Sequence, residues 1–208
     1  MKAFTALALA LGLAHVGATI YTVGVGEDFE AVCLHKVQPG DECFLEKGDH
    51  YHDGLTVTHG TAEKRITITG DRAACIKGSG DQDRVLQIAH DYYTIKDICF
   101  DGYHEENNEE DRDEQYVSTA IYVLGADKKS EKNGVLSSVT GLQLLDLEIK
   151  NSGSECVHFR YFVTHAEVSG CTFQRCGVDA FENGAGGKVG EGIYVGTALD
   201  QVNDGKVS

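Results

Sequence analysis

The sequence predicts an all-β fold, a single-stranded right-handed parallel β-helix with a short N-terminal capping helix. Two strand-like motifs alternate along most of the chain with a period of about 25 residues, which is typical of a solenoid of stacked coils. Glycine occurs 25 times and proline once, a composition that suits short strands joined by tight corners. Because equivalent strands run the same way in every coil, we expect the sheets to be parallel.

The first eighteen residues have the pattern of a secretory signal peptide. Lys2 gives a basic start, residues 4–13 form a short apolar run, and small residues precede Thr19. The apolar run is shorter than the roughly twenty residues that a membrane helix needs, and no later segment reaches that length. We therefore expect cleavage at residue 18 and a secreted, extracellular protein with one β-helix domain over residues 19–208. An uncleaved N-terminal anchor is the alternative.

Residues 27–37 differ from the rest of the chain in their apolar spacing. Their apolar side chains recur near the period of a helix, at Phe29, Val32, Cys33 and Val37. Pro39 and Gly40 follow and would end a helix. The pattern predicts a short helix over residues 27–37.

The first strand motif places apolar residues at positions one, four and six. Its three copies are Ile95, Ile98 and Phe100; Leu144, Leu147 and Ile149; and Val168, Cys171 and Phe173. Residues 66–76 approximate an earlier copy. Ile95 and Leu144 lie 49 residues apart, whereas Leu144 and Val168 lie 24 apart. The acidic segment 104–117 lies in the longer gap, so we interpret it as a solvated inserted loop.

A second strand motif follows each copy of the first. It comprises residues 85–88, 121–123, 157–159 and 193–195. Alternation along a strand directs Ile121, Val157, Ile193 and their i+2 neighbours into the core. The outward positions then form a ladder of Gln87, Tyr122, His158 and Tyr194, with Arg160 two residues beyond His158. Aromatic rings stack on sugars and arginine pairs with carboxylates, so this strip is either a sugar-binding face or an ordinary covered sheet surface.

The net charge of −15 restricts the partners of the protein. Nucleic acid is excluded because its binding depends on a basic surface. An acidic glycan would be repelled by the overall charge, so its contact requires a local basic patch or calcium.

The N-terminal half resembles a known superfamily. Pro39-Gly40-Asp41, Phe44-Leu45 and the segment Arg65-Ile66-Thr67-Ile68-Thr69-Gly70 look like the opening turns of pectate-lyase-like proteins, nearest to polysaccharide lyase family 6, the alginate lyases and chondroitinase B. Tyr93-Thr94-Ile95 resembles the next rung. The resemblance implies a right-handed parallel β-helix whose N-terminal end is capped by the helix of residues 27–37. The paired lysine and arginine motif of family 6 is not matched.

The resemblance implies β-elimination on an acidic polysaccharide. That reaction needs a neutralised carboxylate, a base for the C5 proton and an acid for the leaving oxygen. Arg160, Lys188 or Arg175 would serve as the base and His158 or Tyr194 as the acid. Four residues are expected to contact the substrate, namely Tyr122, Tyr194, Arg175 and Glu191.

Residues 176–192 form a glycine-rich loop with several charged side chains. Asp179 with Glu182 or Glu191 is expected either to bind calcium or to act as the acid and base pair of a hydrolase. The alternative is a solvated loop whose charges aid solubility. His50 and His52 share one face of an extended segment, which would suit a weak metal site.

The seven cysteines of an exported chain indicate disulfide bonds. Alignment of the motifs predicts that Cys33 pairs with Cys43 and that Cys75 pairs with Cys99 on adjacent coils. Cys171 points inward as a core thiol, and Cys156 or Cys176 is expected to be unpaired.

The odd cysteine count and the absence of a recognisable C-terminal cap suggest that the β-helix lacks its last coils. The leading hypothesis is a carbohydrate-active protein that acts on or binds an acidic polysaccharide. The alternatives are a non-catalytic glycan- or cell-wall-binding module and a structural surface solenoid.

Overall fold

Three parallel β-sheets run along the chain and enclose one apolar core. The computed structural model describes residues 17–52, 54–79, 83–104, 115–125, 138–178 and 190–196. Within these ranges every strand pairing is parallel, apart from an isolated antiparallel bridge between Tyr103 and Tyr116. Each full coil contributes one strand to each sheet in a fixed order, so the predicted parallel β-helix is confirmed.

The strands are short, with two to six residues each, because corners follow one another closely along the chain. The first sheet contains β1 (Ile20–Val23), β2 (Glu42–Leu45), β5 (Ile66–Gly70), β8 (Tyr93–Lys96), β12 (Gln143–Leu145) and β16 (Glu167–Ser169). The second contains β3 (Gly48–Tyr51), β6 (Ala74–Lys77), β9 (Cys99–Asp101), β13 (Glu148–Ser152) and β17 (Thr172–Cys176). The third contains β4 (Gly54–Leu55), β7 (Arg84–Ile88), β10 (Thr119–Leu124), β14 (Val157–Arg160) and β18 (Ile193–Val195). A fourth, two-stranded sheet pairs β11 (Val139–Thr140) with β15 (Val163–Thr164).

The first strand motif aligns in the predicted register. Ile95 pairs with Leu144, and Leu144 pairs with Val168. The 49 residues between Ile95 and Leu144 therefore form a single coil that contains the acidic insertion. Residues 105–114 of that insertion lie outside the described part of the chain. At its base, the backbone N–H of His104 donates to the carbonyl oxygen of Gln115 at 3.0 Å.

The core consists of side chains stacked from coil to coil. In the second sheet Ile76, Phe100 and Ile149 occupy equivalent positions and are fully buried. Each such side chain contributes roughly 1.5–3 kcal/mol of burial free energy. The same register makes Ile193 and Val195 the equivalents of the buried Val157 and Phe159, but both are exposed on the last described coil.

Stacked left-handed residues form the corners of the helix. Asp97, Asp146 and Gly170 follow β8, β12 and β16 at equivalent positions, with φ of 58°, 51° and 67°. Aspartate and glycine tolerate this conformation better than most residues. Repeating it in successive coils turns the chain at the same place and keeps the strands in register.

The predicted capping helix is present but shorter than expected. A π-helix spans Glu30–Leu34, rather than the whole of residues 27–37. Phe29, Cys33 and Val37 are buried as their spacing predicted. The disulfide bond Cys33–Cys43 ties the helix to β2, which confirms that pairing.

The other cysteines confirm one prediction and correct another. Cys75 and Cys99 are bonded across adjacent strands β6 and β9, as predicted. The expectation that Cys156 or Cys176 is unpaired is wrong, because these two are bonded to each other. Cys171 carries the free thiol, which lies half-buried against the core.

Candidate functional site

The outer face of the third sheet carries the predicted ladder of polar and aromatic side chains. Gln87 pairs with Tyr122, Tyr122 with His158, and His158 with Tyr194. Adjacent positions belong to adjacent coils, about 4.8 Å apart. We call Tyr122, His158 and Tyr194 the aromatic ladder.

The rings of the aromatic ladder contact one another edge to face. The centroids of Tyr122 and His158 lie 5.2 Å apart, and those of His158 and Tyr194 lie 4.7 Å apart. The imidazole of His158 is further positioned by a contact of 3.1 Å between its Nε2 and the carbonyl oxygen of Gly196. A protonated Nε2 donates to that oxygen, which leaves Nδ1 as the acceptor of a neutral ring.

Tyr122 differs from the open sugar platform that the sequence predicted. Its side chain is outward but only 4% exposed, because the guanidinium of Arg84 covers the ring face at 3.8 Å. A sugar cannot stack on a face that is already covered. Tyr194 is half-buried, so of the two tyrosines in the ladder it is the one with more exposed surface.

Arg160 contacts the same tyrosine from the next coil. Its Nη1 donates to Tyr122 Oη at 3.0 Å, and its guanidinium lies 4.8 Å from the ring centroid of Tyr161. Partial burial alone would lower the pKa of Arg160, but hydrogen bonds and charge interactions with Tyr122 and Tyr161 raise it overall. Arg160 is therefore a permanent cation and a poor proton acceptor.

The sequence interpretation missed Arg84. The residue begins β7 and pairs with Thr119, and its Nη1 donates to Gln87 Oε1 at 3.4 Å. Extending the alignment of the second motif by one residue toward the N-terminus would have placed it beside the ladder. Its position over Tyr122 depends on the side-chain conformation, which spacing does not predict.

Two glutamates lie at the start of neighbouring strands of this sheet. Glu155 Oε2 lies 3.5 Å from the hydroxyl of Thr119, which donates to it, and 4.0 Å from His158 Nδ1. Glu191 precedes β18 by two residues, as Glu155 precedes β14, and its carbonyl oxygen accepts from the N–H of Cys156. Glu155 therefore places a carboxylate within 4.0 Å of the imidazole of His158.

Of the remaining predicted residues, Arg175 is the one within the described part of the chain, and it lies on another sheet. Arg175 lies on β17 of the second sheet, where its Nη2 donates to Tyr116 Oη at 3.3 Å. Lys188, Asp179 and Glu182 lie outside the described residues. Within the described ranges no group of three or more His, Cys, Asp or Glu side chains is arranged to hold a metal ion.

The histidine pair near the N-terminal end is buried in the first coil. His50 Nε2 lies 2.7 Å from the carbonyl oxygen of Glu46. The ring of His52 packs edge to face on Phe29 at 5.0 Å, and its Nε2 has no hydrogen-bond partner among the described residues. Burial lowers the pKa of His52 to about 4, against a smaller opposing effect of Asp28.

The arrangement on the third sheet combines positive charge with groups that can transfer protons. Arg84 and Arg160 approach one phenol from two directions, while His158 lies between two tyrosines. Guanidinium groups bind planar oxyanions, and imidazole is the side chain best suited to proton transfer near neutral pH. The third sheet therefore brings two guanidiniums and an imidazole together on one face.

Solved structures with the same fold include polysaccharide lyases. An alginate lyase from Paenibacillus sp. str. FPU-7 superimposes with a TM-score of 0.66 at 21% identity, over 89% of this chain and 52% of that enzyme. A mutant of the PL6 family alginate lyase AlyGC (TM-score 0.49, 15% identity, 86% and 26% coverage) and the pectate lyase Pel9A (0.44, 13%, 74% and 47%) are more distant. The predicted resemblance to β-helix lyases is confirmed at the level of the fold.

The chain spans about half the length of the alginate lyase that it matches. No protein-family model and no curated protein matches it. No helix among the described residues is long and apolar enough to cross a membrane.

Proposed function

We propose that this chain is a secreted carbohydrate-active protein that binds an acidic polysaccharide along the outer face of its third sheet. The observation that carries the proposal is the pair of guanidiniums, Arg84 and Arg160, held against Tyr122 beside His158. A local cationic site is what an acidic ligand needs on a protein with a net charge of −15. The three disulfide bonds suit the oxidising compartment of a secreted protein.

The proposed reaction is β-elimination on a uronate chain. A base removes the proton on C5, the bond between C4 and the leaving oxygen breaks, a C4–C5 double bond forms, and an acid protonates the leaving oxygen. Arg160 suits neutralisation of the carboxylate, because its raised pKa makes it a poor base. His158 and Tyr194 are the groups of this face that we assign to proton transfer.

Lys188, Arg175, Glu191 and calcium remain parts of the proposal without an assigned step. Calcium would supply charge neutralisation at the substrate carboxylate. Its predicted ligands Asp179 and Glu182 are not described, so no step depends on it. A chelator provides the direct test.

A non-catalytic glycan-binding module is the second candidate. It is favoured by the hydrogen bond from Arg160 to the hydroxyl of Tyr122, because this contact holds the two groups together without any transfer of a proton. The two candidates predict the same ligand and differ only in whether the chain is cleaved.

The experiment is incubation of the purified protein with pectate, alginate and chondroitin, with calcium or with chelator. Cleavage by β-elimination creates an unsaturated product that absorbs at about 235 nm. A rising trace with one substrate supports the lyase. A flat trace with retention on a glycan array supports the binding module, and no retained glycan in either condition contradicts the proposed function and favours a structural solenoid.

A further inference from the structure

We infer that Arg84 is a carboxylate-binding residue that selects uronate-containing chains at the aromatic ladder. The inference rests on the proposed function and deepens it, because it names the group of the ligand that is recognised and the residue that recognises it. Its basis is the contact geometry of one side chain.

The guanidinium of Arg84 uses its flat face for Tyr122 and retains donors in its plane. Its carbon Cζ lies 3.8 Å from the ring centroid. Stacking of this kind engages the π face of the guanidinium and leaves its in-plane N–H groups available to other acceptors. The ring therefore positions Arg84 without using its hydrogen-bonding capacity.

The described residues do not satisfy those donors. Nη1 has a long hydrogen bond of 3.4 Å to Gln87 Oε1, and Nε is buried without a partner. Among the described residues no carboxylate forms an ion pair with Arg84. A guanidinium has five N–H donors in a fork that matches a carboxylate, so a half-buried arginine with unused donors is suited to an anionic ligand.

Charge and shape then indicate the class of ligand. Acidic residues outnumber basic ones by 33 to 18 in this chain, so a cation without an acidic partner is unusual in its setting. Arg160 adds a second positive charge at the hydroxyl of the same tyrosine. Two guanidiniums on one phenol would repel a cationic ligand and would gain little from a neutral sugar. The ligand that fits this charge is an anion, and on a sugar chain that anion is the carboxylate of a uronate.

The test compares binding of wild type, Arg84→Gln and Arg84→Lys to polygalacturonate and alginate, and to the same polymers after reduction of their carboxyl groups. Arg72→Gln is the matched control, because Arg72 is exposed and lies on the corner between β5 and β6. We expect Arg84→Gln to weaken binding of the uronate polymer by about ten- to a hundred-fold, the loss expected for a charged hydrogen bond. Arg84→Lys keeps the charge but loses the planar fork, so we expect an intermediate loss. Arg72→Gln should bind like wild type.

The outcomes separate this inference from the proposed function. If wild type binds none of the polymers, both are wrong. If wild type binds and Arg84→Gln binds equally well, only the role of Arg84 is wrong. Equal weakening on native and carboxyl-reduced polymers, or binding of sulfated glycans alone, would also overturn the carboxylate assignment. Thermal unfolding of each variant shows whether it is folded, and the Arg84→Lys series carries the test if Arg84→Gln is not.

Discussion

At the scale of single residues, the candidate site depends on how two arginines are held. Arg160 donates to the hydroxyl of Tyr122, and Arg84 covers the ring of the same tyrosine. Neither contact involves a neighbour in sequence. The chemistry of the face therefore depends on side chains from three successive coils.

Substitution of Arg160 tests the catalytic assignment. If the protein is a lyase, Arg160→Ala should lower kcat/KM on its uronate substrate by about a hundred-fold or more, because the charge that stabilises the developing anion is lost. Arg72→Ala, at the exposed corner between β5 and β6, is the control and should retain most of the activity. Initial rates of product absorbance measure both. Full activity of Arg160→Ala would contradict the role given to this residue.

His52 predicts a specific dependence of stability on pH. Its folded pKa of about 4 lies below the ordinary value of 6.5, so the unfolded chain binds the proton more readily. The contribution of neutral His52 to stability is then fully present above pH 6.5 and is lost as the pH falls toward 4. Between pH 7.5 and 4.5 we expect His52 to account for a loss of about 2–3 kcal/mol in the free energy of unfolding.

Urea unfolding of wild type and His52→Phe at the two pH values isolates this contribution. Phenylalanine keeps a ring against Phe29 and removes the titrating group. The carboxylates titrate in both proteins, so the difference between their pH dependences reports His52. Identical pH dependences would show that His52 does not titrate in this way.

At the scale of elements, the stack is held together by side-chain ladders and by bonds between coils. The disulfide bond Cys75–Cys99 joins equivalent positions of β6 and β9 and closes a segment of 24 residues. Closing a loop of that length restricts the unfolded chain by about 3 kcal/mol. Parallel strands cannot be joined by a tight hairpin, so a direct bond between coils restrains two strands that are distant in sequence.

Replacement of Cys75 and Cys99 by serine should therefore lower the free energy of unfolding by about 3 kcal/mol. Replacement of Cys33 and Cys43 by serine should cause a slightly smaller loss, because that pair is separated by only 10 residues. Loop entropy makes the difference between the two losses less than 1 kcal/mol, roughly. Denaturant titration of both double variants measures the two values. A Cys75 and Cys99 variant as stable as wild type would contradict the expected contribution.

At the scale of the whole molecule, the number of reactive thiols tests the disulfide pairing that the fold requires. Three pairs are bonded and Cys171 is free. Burial is the main effect that raises the pKa of the Cys171 thiol, so it should react slowly in the folded protein. We expect one thiol per chain to be titrated in denaturant without reductant and far slower reaction without denaturant. The Cys171→Ser variant should show none, and three titrated thiols in the wild type would contradict one of the three disulfide bonds.

The regular recurrence of the strand motifs made the architecture predictable from the sequence. Ile95, Leu144 and Val168 recur at equivalent points of successive coils, and stacking requires equivalent residues to share a direction. The same alignment predicted the ladder of Tyr122, His158 and Tyr194 and the bond between Cys75 and Cys99. Helix length was less predictable, because the apolar spacing of residues 27–37 marks burial and not the points where the helix begins and ends.

The sequence by itself determined the parallel β-helix, its register and the outward direction of the aromatic ladder, because these follow from a repeat that the sequence carries. Only the tertiary structure decided that Tyr122 is covered, that Arg84 covers it, and that Cys156 bonds to Cys176. Those features depend on side-chain conformation and on distances across corners. A linear pattern shows which residues share a face, whereas contact between them depends on packing in three dimensions.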